Sequence, residues 1–144
     1  MNLEITKVGI ISCSGEELPE GTLSRIACRK VLTDFKPNET VTICLPLFIA
    51  GGEEERKFAK KYPTITVDGC EKLCAAKSTE MFSGKPSKSL VVPDILKKHN
   101  LSAPEKLRHL GKEDQASVQA VAEEIAKAVD EALDSIDRGG SICG

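Results

Sequence analysis

Tryptophan is absent from this 144-residue chain and aromatic residues make up only 3 % of it, so the core must be built from aliphatic side chains. The same scarcity removes the stacking platforms on which proteins hold single-stranded nucleic acid. A dominant charge of one sign is also missing. A net charge of −2 and a pI near 5.8 leave no electrostatic footprint for DNA, RNA or an anionic membrane surface. No stretch approaches the ~20 apolar residues that cross a bilayer. The opening Met1-Asn2-Leu3-Glu4 has neither the basic start nor the apolar run of a secretion signal, so the expected location is the reducing cytoplasm.

Nucleotide and phosphate signatures are lacking too. No G-x-G-x-x-G follows the first apolar run and no Walker sequence occurs. A cysteine phosphatase or arsenate reductase places an arginine six positions after its nucleophile, but the sixth residue after Cys13 is Pro19. The two histidines, His99 and His109, fall in or beside the least patterned stretch and are read as exposed or locally capping groups. Exclusion leaves a protein or small molecule of unspecified kind as partner, and the oligomeric state is not written in the sequence.

What the chain does contain is six cysteines within an ordinary globular composition, 40 % hydrophobic and 29 % charged. In a reducing compartment such thiols serve as ligands, catalysts or buried packing groups rather than as disulfides. The length suits one domain, expected over 1–138, with 139–144 as a flexible tail.

Apolar, β-branched runs at Val8–Ser12, Val41–Leu45, Thr64–Val67 and Ser89–Val92 predict four strands. Between them lie helical patterns. The first is capped by Thr22 or Ser24 and carries Leu23, Ile26, Ala27 and Val31 on one face. A second follows Gly51-Gly52, acidic first and basic last, and ends at Pro63. A third runs from about Glu71 to Phe82. The clearest helix carries Val118, Val121, Ala122, Ile125, Val129, Ala132, Leu133 and Ile136 and is expected to stop at Gly139-Gly140. Strand and helix alternate, which predicts an α/β fold of three layers. Its mostly parallel sheet has order 2-1-3-4, helices on both faces and a long C-terminal helix.

On that fold the cysteines concentrate at one edge. Cys13 directly follows strand one, Cys44 lies near the carboxyl end of strand two, and Cys70 follows strand three. Cys74 comes four residues later, one helical turn away on the same expected face. Ligands of open parallel sheets bind at this carboxyl edge. Neighbouring strand ends are about 4.8 Å apart, and tetrahedral zinc needs sulfurs roughly 3.8 Å apart, so modest tilting suffices. A helix start favours thiolate, the form that binds metal. The competing reading is that these thiols pack the core, with Cys44 inside its apolar strand the first candidate for that role. Cys28 is read as a packing or surface residue and Cys143 as an oxidisable thiol of the tail. Asp68 is read as a helix cap rather than an acid, and Lys72 and Lys77 as a solvated face or as charge compensation beside a thiolate site.

Asp68-Gly69-Cys70, followed by Cys74-Ala75-Ala76-Lys77 and Glu80, resembles the DGC-domain family. The likeness extends to Val8 through Gly15, to Gly21 through Ala27, to Cys44-Leu45 with Gly51-Gly52, and to Leu90 through Asp94, and so covers about residues 7–98. It implies one zinc ion held by Cys13, Cys44, Cys70 and Cys74, without a defined reaction. Relatives often carry a glycine-rich stretch after the first cysteine. Here Glu16, Glu17 and Glu20 stand instead, and carboxylates repel any phosphate such a loop would cradle. Two functions remain: a metal-binding module with a closed shell of four thiolates, or a thiol- or zinc-dependent enzyme using Cys13 as labile ligand or nucleophile. By count, four cysteines also suit an iron–sulfur cluster.

Overall fold

A computed structural model describes the backbone of residues 7–143 and the side chains of residues 7–136. Its elements are β1 (Val8–Ser12), α1 (Pro19–Lys30), β2 (Thr40–Thr42), α2 (Leu47–Ala50), α3 (Glu53–Arg56), α4 (Phe58–Lys61), β3 (Thr64–Asp68), α5 (Cys74–Phe82), β4 (Lys88–Val91), α6 (Val92–Lys98) and α7 (Gln115–Cys143). The four strands are parallel, in the order β2-β1-β3-β4 expected from the sequence. β1 is central because nearly all of its side chains are apolar, so neither face tolerates water.

Alternation along the strands divides the core in two. Val8, Ile10, Ile65 and Val67 pack with Leu23, Ala27 and Val31 of α1, Ile95 and Leu96 of α6, and Val121, Ile125 and Val129 of α7. Ile11 faces the other way, toward Phe48 of α2, Phe58 of α4 and Ala75 of α5. Helices thus cover both faces, as predicted. Each fully buried Val, Leu or Ile contributes about 1.5–3 kcal/mol.

Several boundaries differ from expectation. β2 is only three residues long, because Thr42 is already exposed and Pro46 starts a short helix. The helix expected between Gly52 and Pro63 is two single turns broken at Lys57. α1 starts at Pro19, earlier than either predicted cap: a proline lacking an N–H is suited to the first helical position. Thr22 and Ser24 lie inside it, where Thr22 donates to the Leu107 carbonyl and Ser24 to the Gly21 carbonyl at 2.7 Å. The helix then widens, Lys36 N–H reaching back five residues to Val31 O at 2.8 Å. Pro93 sits in the first turn of α6 instead of only ending β4. α7 continues through Gly139 and Gly140 to Cys143, where a stop was expected. A glycine stop uses the left-handed conformation, and no described glycine has it. The side chain of Cys143, and the whole of Gly144, lie outside the described residues.

Two glycines bring separate chain segments into backbone contact. A Cβ on Gly69, just after β3, would lie 2.6 Å from Gly21 N and 2.8 Å from Gly21 Cα. A Cβ on Gly21, in the first turn of α1, would collide with the carbonyl of Gly15. Three segments therefore touch main chain to main chain.

Two outcomes test this packing. Helix propensity alone would make Gly21→Ala stabilising by up to about 1 kcal/mol, but the collision with backbone should instead destabilise by about 1–3 kcal/mol. Urea denaturation should show this loss for Gly21→Ala and Gly69→Ala, and little change for Gly15→Ala, whose Cβ would meet nothing nearer than 3.4 Å. On α7, Glu124 accepts from Lys98 Nζ at 2.8 Å and lies 3.1 Å from His99 Nε2, tying α6 to α7. The Lys98 hydrogen bond leads in holding the Glu124 carboxyl below the usual carboxylate range, against the opposing effect of burial. A depressed carboxyl contributes stability above its unfolded pKa and loses it as pH falls through the folded value. Glu124→Gln should therefore cost about 0.5 kcal/mol at neutral pH, and the gap between variant and parent should close under acid.

Candidate metal centre

The chain crosses from β2, on one side of β1, to β3 on the other, so the carboxyl ends of β1 and β3 flank the topological switch point of the sheet. A cleft of about 220 Å³ opens there, lined by Cys13, Cys70 and Cys74, with Leu18 and Leu45 as apolar walls. A second cleft of about 270 Å³ lies on the β2 side, lined by Cys13, Cys28 and Cys44 together with Arg25 and Arg29. Cys13 and Leu45 belong to both.

Cys13 extends the ladder one residue past β1, its N–H donating to Val67 O at 2.9 Å. That places its side chain against the start of α1 and the turn after β3. The thiol is 7 % exposed, accepts the Gly69 N–H at 3.3 Å, and lies 3.4 Å from Ser24 Oγ. The Gly69 bond exists because Gly69 is pressed against Gly21, which aims its amide at the end of β1.

Cys70 is half-buried and lies in a turn closed by Leu73 N–H to Cys70 O at 3.3 Å. Cys74 is exposed and is the first residue of α5. Expectation put both on one helical face, and this is corrected. Leu73, between them, is left-handed at φ 55°, ψ 46°, a conformation costing about 1–2 kcal/mol, and it keeps the helix from starting earlier. Asp68 compensates. Its buried carboxylate accepts Ala75 N–H at 2.7 Å and Ala76 N–H at 3.2 Å, two of the unpaired donors in the first turn of α5. Burial raises the Asp68 pKa and these two hydrogen bonds oppose the rise. The capping role read for Asp68 is thus found, exercised from six residues before the first residue of α5.

Cys44 departs further. It stands two residues past the end of β2 and is exposed, so the idea that an apolar strand buries it is overturned. Cys28 is buried, 3 % exposed, and burial leads in pushing its thiol far above the usual range, with charge on Cys13 and Asp68 adding to the shift. Packing was its expected role; what the sequence reading missed is that it shares a cleft with Cys13. The signal was available in the spacing of Ser24 and Cys28, four residues apart on α1. His99 pairs with Glu124, away from the thiols.

Three of the four predicted ligands thus border one cleft, and the fourth borders the adjoining one. Among the described residues, no group of three or more Cys, His, Asp or Glu side chains is drawn together tightly enough to hold a metal ion. No described helix is long and apolar enough to cross a membrane.

Asp68→Ala should destabilise the protein by about 1–3 kcal/mol, since the buried Ala75 N–H and the part-buried Ala76 N–H lose their acceptor. Asp68→Asn, which keeps one carbonyl acceptor, should lose less. Chemical denaturation of the two variants checks the order.

The family model described as the DGC domain matches residues 9–132. No match was found among curated proteins or among solved structures. The match takes in β1 from Gly9, the other three strands and most of α7, and with the Asp68-Gly69-Cys70 turn at the head of α5 it establishes that this chain belongs to the DGC domain family.

Proposed function

We propose that the protein binds one zinc ion through Cys13, Cys44, Cys70 and Cys74. The observation that carries the reading is that Cys13, Cys70 and Cys74 open onto a single cleft at the switch point of the sheet. The donor set fits the metal. Thiolates are soft ligands suited to zinc, and walls such as Leu18 and Leu45 keep the surroundings dry. A backbone N–H is already aimed at Cys13 Sγ, the kind of outer contact that steadies a ligating sulfur. Cys44 lies on the loop leading into Leu45, which borders both clefts, so closing the shell needs that loop to move toward Cys13. Zinc would supply cross-linking of three loops and charge neutralisation of the thiolates. A shell of four sulfurs leaves no open position for a substrate, which favours a structural or metal-handling role.

Cys13 supports a second reading, a thiol enzyme, because its sulfur accepts the Gly69 N–H and opens onto both clefts. Selective alkylation of Cys13 with zinc retained by the other three thiols would favour that reading, and equal protection of all four would count against it.

Elemental analysis with an ultraviolet–visible spectrum tests the metal. A colourless protein with one zinc per chain is expected, whereas visible charge-transfer bands with bound iron would replace zinc by a cluster. Cys70→Ser and Cys74→Ser should each lower zinc content and thermal stability, while Cys28→Ser leaves zinc content unchanged. With free zinc at 100 times its dissociation constant, binding stabilises the fold by about 2.7 kcal/mol. Chelation should remove that increment. Stoichiometric zinc in a Cys70/Cys74 double variant would overturn the assignment.

A further inference from the structure

Among the described cysteines, Cys28 is the buried one that the zinc reading does not use, and its position is informative. Ser24 and Cys28 are four residues apart on α1 and so lie one above the other on the same face. Ser24 Oγ is 3.4 Å from Cys13 Sγ, which places that face against the cysteine loop. The helical Cβ leans toward the N-terminus, so the Cys28 side chain is directed up toward Ser24 and Cys13. Cys13 and Cys28 both line the cleft of about 270 Å³.

We propose that Cys13 and Cys28 form a redox-active dithiol, closed to a disulfide by a small peroxide that enters this cleft. The chemistry balances without a further reactant. The Cys13 thiolate attacks one oxygen of hydrogen peroxide, the O–O bond breaks, and Cys13 becomes a sulfenic acid as hydroxide leaves and takes up the proton that the Cys13 thiol gave up on ionising, forming the first water. The Cys28 sulfur then attacks the Cys13 sulfur. An S–S bond forms, and the sulfenic oxygen departs as water with the Cys28 proton. Two thiols are oxidised by two electrons and one peroxide is reduced to two waters. The division of labour follows from the environments. Cys13 lines both clefts and accepts a main-chain N–H, so it meets the peroxide first, whereas Cys28 is the more deeply buried of the two and acts only once its neighbour is oxidised.

The consequence for metal rests on the zinc reading. Cys13 cannot be both a thiolate ligand and half of a disulfide, so oxidation withdraws a ligand that borders both clefts, and zinc is released.

The test treats the full-length protein with equimolar hydrogen peroxide, maps disulfides by peptide mass spectrometry and follows released zinc with a chromogenic chelator. A Cys13–Cys28 cross-link as the main product, formed together with zinc release, is expected. Cys28→Ala should abolish that cross-link and leave Cys13 sulfenic acid to be trapped by dimedone. The map of the unaltered protein decides the matter even if that variant folds poorly. A main product pairing Cys13 with Cys44 or Cys70, or Cys70 with Cys74, would overturn the proposal, as would Cys28 remaining a free thiol throughout. If the reduced protein carries no zinc, the metal reading fails while the cross-link map still decides the dithiol.

Discussion

The contact on which the site depends is made of backbone, not of side chains. Gly69 lies against Gly21, and Gly21 against Gly15, so the turn after β3, the head of α1 and the loop after β1 meet with no Cβ between them. This contact aims the Gly69 amide at Cys13 and brings the Cys70 turn alongside the Cys13 loop. A methyl group at Gly21 or Gly69 would push these segments apart. The thiols would then belong to separate loops with nothing to hold them in common. Close approach of this kind is free of steric cost in the folded state, but ordering glycine costs more conformational entropy on folding than ordering any other residue. It persists here because the sheet beneath it is buried on both faces.

The electrostatics of this edge are local. Glu16 pairs with Arg25, and Glu17 with Arg108, so the acidic residues of the cysteine loop are matched by cations from α1 and from the segment before α7. These pairs are exposed and add little to stability. Their effect is to fix where the loop lies, together with the Thr22 hydroxyl donating to Leu107 O. Arg29, also lining the Cys44 cleft, is exposed and leaves a positive charge on the side of the site where thiolate charge would accumulate.

Much of the fold was legible in the sequence because its governing pattern is apolar periodicity. The strand order followed from β1 being apolar on both faces and from right-handed crossovers, and the face of α7 followed from Val118, Val121, Ile125 and Val129. What was not legible depends on tertiary contact. Glycine at 69 reads as a turn in any sequence, and nothing local says that its partner is residue 21. The start of α5 was misplaced because Leu73 has no sequence signal for a left-handed conformation, which is paid for by a carboxylate five residues upstream. The exposure of Cys44 escaped because β2 is an edge strand, and apolar residues at an edge need not continue into the core. The candidate site was legible as a gathering of cysteines at one edge and illegible as two clefts.

That division has its own logic. A metal shell of four cysteines asks every sulfur to converge, yet the fold places Cys70 and Cys74 on one side of Cys13, and Cys28 and Cys44 on the other. Of the described cysteines only Cys13 lines both. Its sulfur accepts a main-chain N–H, and it is the most buried of the predicted ligands, whereas Cys44 and Cys74 are exposed. Any process that recruits thiols here must therefore be organised around Cys13, with the other cysteines moving to it. The proposed metal binding would draw in Cys44 from the β2 loop; the proposed oxidation would draw on Cys28 from α1. Both would use the same pair of electrons on one sulfur, and so the two proposed states exclude each other by valence alone, with no conformational signal required between separate sites.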